Sequence, residues 1–167
     1  MCDYSLMAIP NRLAVSGEEL LVHKFEEGSV GLASPSDLRK RQECRKVKPH
    51  GFWPRLKVFF DPPSAPAIPA VCIPPGARLM VLDIPANMQR ECGLPMDVEE
   101  AVFTQITAAV NTFRDAVRFR NGIEILLQRL NEGQRVRVLD LSSAEKRETE
   151  QTGQGAITQV PLTRAAA

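Results

Sequence analysis

Short runs of alternating apolar and polar residues recur along the chain and predict a mainly β protein. Residues 12–25, RLAVSGEELLVHKF, alternate on both sides of Ser16-Gly17-Glu18, a pattern typical of two strands joined as a hairpin. Residues 77–85, ARLMVLDIP, follow a Pro-Pro-Gly turn signal and predict a strand buried on much of both faces.

Residues 97–117 carry two competing patterns. Apolar residues at helical spacing, with Asp97 three positions before Glu100, favour a helix. The run VFTQIT at residues 102–107 is rich in β-branched and aromatic residues, and Asn111-Thr112 would interrupt a long helix. We predict strand here, with helix as the alternative.

The next segment predicts a C-terminal meander of three strands. Asn121-Gly122 lies between alternating runs and indicates a two-residue hairpin turn with positive φ at both positions. Asn131-Glu132-Gly133 marks a second turn, and residues 135–141, RVRVLDL, alternate again.

One short helix is expected, beginning near Ser34-Pro35 and ending near Val47. Ser34 is a suitable N-cap, Pro35 suits the first helical position, and Asp37 stands where a capping-box acid is found. Few apolar residues lie in this segment, so the helix should be exposed. The prolines of residues 62–69 then indicate a stiff loop.

Together these elements predict an antiparallel β-barrel or sandwich of short strands, closed or half-closed so that few strand edges are exposed. We expect one domain at residues 1–141, since the 167-residue chain can bury a core without crosslinks. Residues 142–167 lose periodicity and large apolar side chains, which predicts a flexible tail.

Composition narrows the class of protein. The chain is 44% hydrophobic and 25% charged, as in soluble globular proteins. No apolar run approaches the roughly 20 residues of a membrane span, and the opening residues lack a secretory signal pattern, so we expect a cytoplasmic protein. Four cysteines without a Cys-x-x-Cys pair are then expected to be free thiols.

Charge is distributed unevenly along the chain. The basic segment, residues 39–57, has eight Lys/Arg and one acid, a local charge of +7 in a chain of net +1, which leaves −6 elsewhere. We predict a contact surface for an acidic protein, formed with the neighbouring Pro-rich loop by Arg39, Lys40, Arg41, Arg45, Lys46, Lys48, Trp53, Arg55 and Lys57. Nucleic acid is a less favoured partner because the remaining body is acidic. The alternative is a solvated helix followed by a buried aromatic pair.

Cys2 is a candidate nucleophile. Removal of Met1 would leave its thiol next to a free α-amine, which combines nucleophile and base in one residue. Asp3 does not supply the electropositive setting that activates thiols, so packing is the favoured interpretation.

Metal and cofactor chemistry have weaker signals. Cys2, Cys44, Cys72, Cys92, His23 and His50 are zinc-binding residue types, but they lack the close pairs typical of structural zinc sites. The chain also lacks a Gly-rich phosphate loop and a serine elbow. We therefore expect no metal and no cofactor, and a non-catalytic protein.

The opening MCDYSL, the Gly-containing hairpin that follows, and the late block FRDAVRFRNGIEILLQRLNEGQRVRVLDL resemble the two ends of small bacterial proteins that share this opening. The resemblance implies a bacterial origin, and it carries no activity and no functional residue. The leading hypothesis from the residues is a binding or adaptor module. The alternatives are a hydrolase or transferase with Cys2 as nucleophile, and a small β-barrel that holds a ligand or metal.

Overall fold

The fold is mainly β, and its described residues include two α-helices and a 3₁₀ turn. A computed structural model of the chain describes residues 6, 8–46, 66–107, 109 and 112–142, with side chains throughout except at 45 and 46. The elements are β1 (Asn11–Leu13), β2 (Glu19–Lys24), β3 (Val30–Ala33), α1 (Pro35–Lys46), β4 (Ala70–Cys72), β5 (Arg78–Val81), α2 (Ala86–Cys92), β6 (Glu99–Gln105), β7 (Asp115–Phe119), β8 (Glu124–Leu126), the 3₁₀ turn (Leu127–Arg129) and β9 (Arg135–Asp140).

Seven strands form one antiparallel sheet in the order β3-β2-β9-β5-β6-β7-β8. β1 and β4 form a separate parallel pair, in which Leu13 lies opposite Cys72. β9, the last of the described strands in the sequence, is therefore an interior strand of the large sheet, between β2 and β5.

The hairpin predicted at residues 12–25 is wrong in its pairing, although both strands exist. β1 pairs with β4, and the antiparallel partner that follows β2 is β3. The chain leaves β1 at Ala14, whose N–H donates to the carbonyl of Cys72, and reaches the large sheet at Gly17, whose N–H donates to Val138. Residues 14–18 thus connect two sheets, and they do not close a hairpin.

The predicted C-terminal meander is also wrong. β7 and β8 are neighbours, but β9 pairs with β2 and β5 on the other side of the sheet. The meander of the structure runs from β5 to β8. Because β5 is the first strand of this meander, one of its two edges is not paired within the meander, and β9 pairs with that edge.

In the ambiguous segment 97–117, strand is confirmed at Glu99–Gln105 (β6) and from Asp115 onward (β7), and the two strands pair antiparallel. The turn at Asn121-Gly122 is confirmed, but only Gly122 has positive φ, at 87°. The N–H of Gly122 donates to the carbonyl of Phe119, and the N–H of Phe119 donates to the carbonyl of Ile123. These bonds close a three-residue loop with a glycine in the left-handed region, a common alternative to the two-residue turn.

The sheet does not close into a barrel through strand pairing, because β3 and β8 are its edge strands. A side chain joins these edges instead. The amide of Gln128, in the 3₁₀ turn after β8, accepts from the N–H of Val30 at 3.3 Å and donates to the Val30 carbonyl at 3.1 Å. Gln128 therefore gives the first residue of β3 the two hydrogen bonds that a neighbouring strand would provide.

The predicted helix is α1, and its start is confirmed. The carbonyl of Ser34 accepts from Asp37 and Leu38, and Pro35 is the first helical residue. The sequence reading missed α2, which Gly93 ends in the left-handed conformation. None of the helices among the described residues is long and apolar enough to cross a membrane.

Two apolar clusters hold these elements. The larger lines the inner face of the sheet, with Leu20, Leu79, Phe103, Phe119 and Val138 almost fully buried. The smaller cluster lies under β3, α1 and β4 and contains Leu6, Ile9, Phe25, Ala33, Ile68 and Ala70, with half-buried Leu38 against it. A Cβ on Gly31 would lie 2.8 Å from a methyl of Leu6, so glycine allows this close packing.

The prediction of four free thiols is wrong for Cys72, which is disulfide-bonded. Cys44 and Cys92 are free, one exposed and the other buried. Wide sequence spacing did not indicate the bond, because the spacing of cysteines along a chain does not determine which of them meet in the fold.

Candidate functional site

The outer face of α1 carries positive charge that the described part of the fold does not neutralise. Arg39 is exposed and has no ion-pair partner among the described residues. The Lys40 side chain is 71% exposed, and its only described acid is Asp37 at 3.6 Å on the same helix. Such an exposed pair contributes about 0–1 kcal/mol and leaves the lysine accessible.

Most cations of the sheet are paired instead. Glu100 accepts from both Arg78 and Arg120 across neighbouring strands, and these bonds lower the pKa of its carboxyl. Other cross-element ion pairs join Arg135 to Asp83, Arg137 to Glu19, Arg129 to Glu91 and Arg12 to Glu18. The contrast makes α1 a basic surface beside a sheet whose charges balance locally.

Among the described residues, Leu38 and Arg41 attach α1 to the body. Leu38 packs on the smaller apolar cluster. Arg41, one turn further along, is only 14% exposed and is paired with Glu26, whose side chain is 70% exposed. Leu38 and Arg41 are three residues apart, so the helix places them on one face toward the sheet and leaves Arg39 and Lys40 outside.

A cleft of about 200 Å³ separates α1 from the end of β2. Phe25, Leu38 and Ile68 form its apolar wall. Its polar lining is His23, Lys24, Glu26, Arg41 and Gln42. A cleft with three basic side chains and a small apolar wall has the chemistry to hold an acidic side chain.

His23 is the titratable group of this cleft. Burial is the main cause that lowers its pKa, and Arg41 lowers it further, whereas Glu132, 3.6 Å from Nδ1, raises it. The ring also stacks edge-on against Phe25, with centroids 5.0 Å apart. At neutral pH His23 is therefore neutral, and the cationic groups of the cleft are Lys24 and Arg41.

The predicted contact residues divide into three groups. Arg39 and Lys40 are exposed on α1, as a contact surface requires, whereas Arg41 faces the cleft. The backbone of residues 45 and 46 continues the helix, but their side chains lie outside the described residues. Lys48, Trp53, Arg55 and Lys57 also lie outside them, and their part in the surface stays a prediction.

The candidate nucleophile Cys2 likewise lies outside the described residues. The candidate metal ligands that are described do not converge: Cys44 is exposed on α1, Cys92 is buried on α2, and Cys72 is disulfide-bonded. Within the described ranges, there is no group of three or more His, Cys, Asp or Glu side chains that could hold a metal ion.

Sequence reasoning missed the acidic and basic residues on the sheet side of the cleft, Lys24 and Glu26. Lys24 is the last residue of β2, and Glu26 lies in the turn that leads to β3. The signal that could have found them is the position of the basic helix soon after this hairpin, which places the turn and the helix close together in space.

A second cleft, of about 170 Å³, lies between α2 and the segment that follows β7. The Glu91–Arg129 ion pair lies at its lining, together with the buried Cys92. Its charged side chains pair with each other, so it offers less to a charged ligand than the cleft beside α1.

No known protein family, no curated protein and no solved structure matches the chain. Function is therefore inferred from the geometry and charge of the chain itself.

Proposed function

We propose that the chain is a non-catalytic binding module that docks an acidic segment of another protein on α1 and the adjacent cleft. The observation that carries the proposal is the exposed positive charge of α1 beside a sheet whose arginines are mostly paired. Arg39 has no ion-pair partner among the described residues, and Lys40 has only the exposed pair with Asp37 at 3.6 Å. Exposed cations that are weakly neutralised attract a negatively charged partner and orient it during encounter.

The fold supports this role because, in the part of the chain that the structure describes, one face of α1 is anchored and its other face is exposed. Leu38 and the Arg41–Glu26 pair anchor one face of the helix, and the opposite face is free of the sheet. The helix can therefore present its cations on a fixed scaffold.

We also propose that the sheet curls toward a barrel, with Gln128 bridging its edges. The inner face is filled by side chains such as Phe103 and Phe119, which are almost fully buried, so the barrel supplies rigidity and the binding surface lies outside it. A cytoplasmic location is retained as part of the proposal, and the disulfide at Cys72 is the observation against it.

The direct test compares two charge-reversal variants by fluorescence anisotropy with a labelled glutamate peptide. Arg39→Glu with Lys40→Glu should weaken binding about tenfold or more and leave the melting temperature within a few degrees, since both side chains are exposed. The matched control, Arg90→Glu with Arg118→Glu, makes the same change in net charge away from α1.

Equal loss of affinity in both variants would mean that net charge alone attracts the peptide, which contradicts a site on α1. A short single-stranded oligonucleotide serves as the second probe. If it binds more tightly than the glutamate peptide, and loses that affinity only in the α1 variant, then the surface is correct and the class of partner is wrong.

A further inference from the structure

The Arg41–Glu26 pair is asymmetric in its exposure. The guanidinium of Arg41 is largely buried in the cleft, while the carboxylate of Glu26 is mostly exposed to solvent. A cation removed from water needs a counter-charge, but the structure does not require that this charge come from Glu26. A carboxylate of a bound partner could occupy the same position beside Arg41, with a similar free-energy cost of removal from water.

Arg41 also keeps donors for such an acid. A guanidinium has five N–H donors in a planar fork, and among the described residues Arg41 donates only from Nη2 to one oxygen of Glu26. Carboxylates bind arginine best with two parallel hydrogen bonds. The Arg41–Glu26 pair in the free protein therefore engages fewer N–H donors of the guanidinium than a carboxylate bound through both of its oxygens would.

The rest of the cleft suits one acidic side chain. Its volume of about 200 Å³ is smaller than typical cofactor sites of ~300–1,000 Å³. Phe25 and Ile68 offer an apolar wall for the methylene groups of a glutamate, and Lys24 adds a second cation beside Arg41.

We propose, resting on the function proposed above, that the cleft is a subsite for one carboxylate side chain of the acidic partner, and that Glu26 occupies Arg41 as an internal competitor. The partner's carboxylate takes the place of Glu26 on the guanidinium, and Glu26 turns to solvent. Affinity for acidic segments is then limited by the strength of the internal pair, which favours partners that place several acids along α1 at once.

The test uses the substitution Glu26→Gln, which keeps the shape of the side chain and removes its charge. Glu27→Gln is the matched control, since Glu27 is exposed, adjacent, and changes net charge equally. With the labelled glutamate peptide as probe, Glu26→Gln should raise affinity about three- to tenfold, and Glu27→Gln less than twofold.

Arg41 variants complete the test. Arg41→Gln should abolish the gain from Glu26→Gln, so that the double variant binds no better than Arg41→Gln alone. Arg41→Lys keeps the charge and loses the planar fork, and it replaces Arg41→Gln if that variant unfolds. In the Lys background the gain from Glu26→Gln should be reduced but measurable.

The outcomes separate this inference from the function on which it rests. Equal effects of Glu26→Gln and Glu27→Gln would overturn the internal competitor, while a specific loss in the Arg39→Glu, Lys40→Glu variant would leave α1 as the docking surface. Absence of peptide binding in the unsubstituted protein and in Glu26→Gln would overturn both proposals.

Discussion

The hydrogen bonds of Gln128 to Val30 predict a measurable loss of stability when the side-chain amide is removed. A net contribution of about 0.5–1.5 kcal/mol for each hydrogen bond gives about 1–3 kcal/mol for the two. Both residues are half-buried, so water can replace part of what is lost. We expect Gln128→Ala to lower the free energy of unfolding by about 2 kcal/mol, or the melting temperature by about 4–8 °C.

A second substitution at the same position separates the two bonds. Gln128→Glu keeps an acceptor for the Val30 N–H but places a carboxylate against the Val30 carbonyl oxygen, which raises the pKa of the new carboxyl in the folded state. A raised folded-state pKa means stability that is present at low pH and lost as pH rises. Gln128→Glu should thus be closer to the unsubstituted protein below about pH 4 than at neutral pH.

Urea unfolding measures these differences, and amide hydrogen exchange at Val30 reports the local effect. Gln42→Ala is the control, because Gln42 is exposed, and we expect its change to stay within about 0.5 kcal/mol. If Gln128→Ala is equally mild and the Val30 amide exchanges at its original rate, Gln128 does not hold the sheet edges together.

Three further predictions concern the turn, the cleft and the disulfide. Gly122→Ala should cost about 1–2 kcal/mol in urea unfolding, because φ is 87° and a Cβ there meets no neighbour; Gly122→Asn should cost less, and equal costs would exclude backbone strain. Burial lowers the pKa of His23, so below about pH 6.5 the unfolded state takes up a proton more readily than the folded state. Stability should therefore fall on acidification and fall less in His23→Gln, which thermal melts above and below about pH 6.5 would measure. Denatured, unreduced protein should bind thiol reagent at Cys44 and Cys92 and not at Cys72; label on Cys72 would contradict the disulfide.

Local structure was predictable where one pattern dominates its segment. The alternation in β2 and β9, the β-branched run of β6 and the Ser34-Pro35 start of α1 each depend on residues close together in the chain. α2 was readable in principle, since Pro85 and Gly93 bracket it, but its seven residues are too short for a clear helical period.

Pairing was not predictable in the same way. β1 meets β4 across almost 60 residues, and nothing in the alternation of residues 11–13 selects that partner over β2. The same limit applies to β9, because a half-buried strand with one apolar face fits any open edge of suitable register. Long-range pairing depends on which edges the rest of the fold leaves available.

The candidate site was predictable in part for a related reason. A helix poor in apolar residues must expose most of its surface, which places Arg39 and Lys40 in solvent. The burial of Arg41 and its pairing with Glu26 depend on how α1 lies against the turn after β2, and local composition does not fix that arrangement. The exposed charge was therefore visible in the sequence, and the cleft was not.

The position of β9 has a consequence for synthesis of the chain. The ribosome completes β2, β3 and the β5–β8 meander before β9, yet these two parts share a sheet only through that strand. Until β9 is added, two unpaired edges on β2 and β5 remain open to other chains. A nascent chain stopped before residue 135 should therefore be a substrate for chaperones, and fusions that delay release of the C-terminal region should aggregate more than fusions at the N-terminal end.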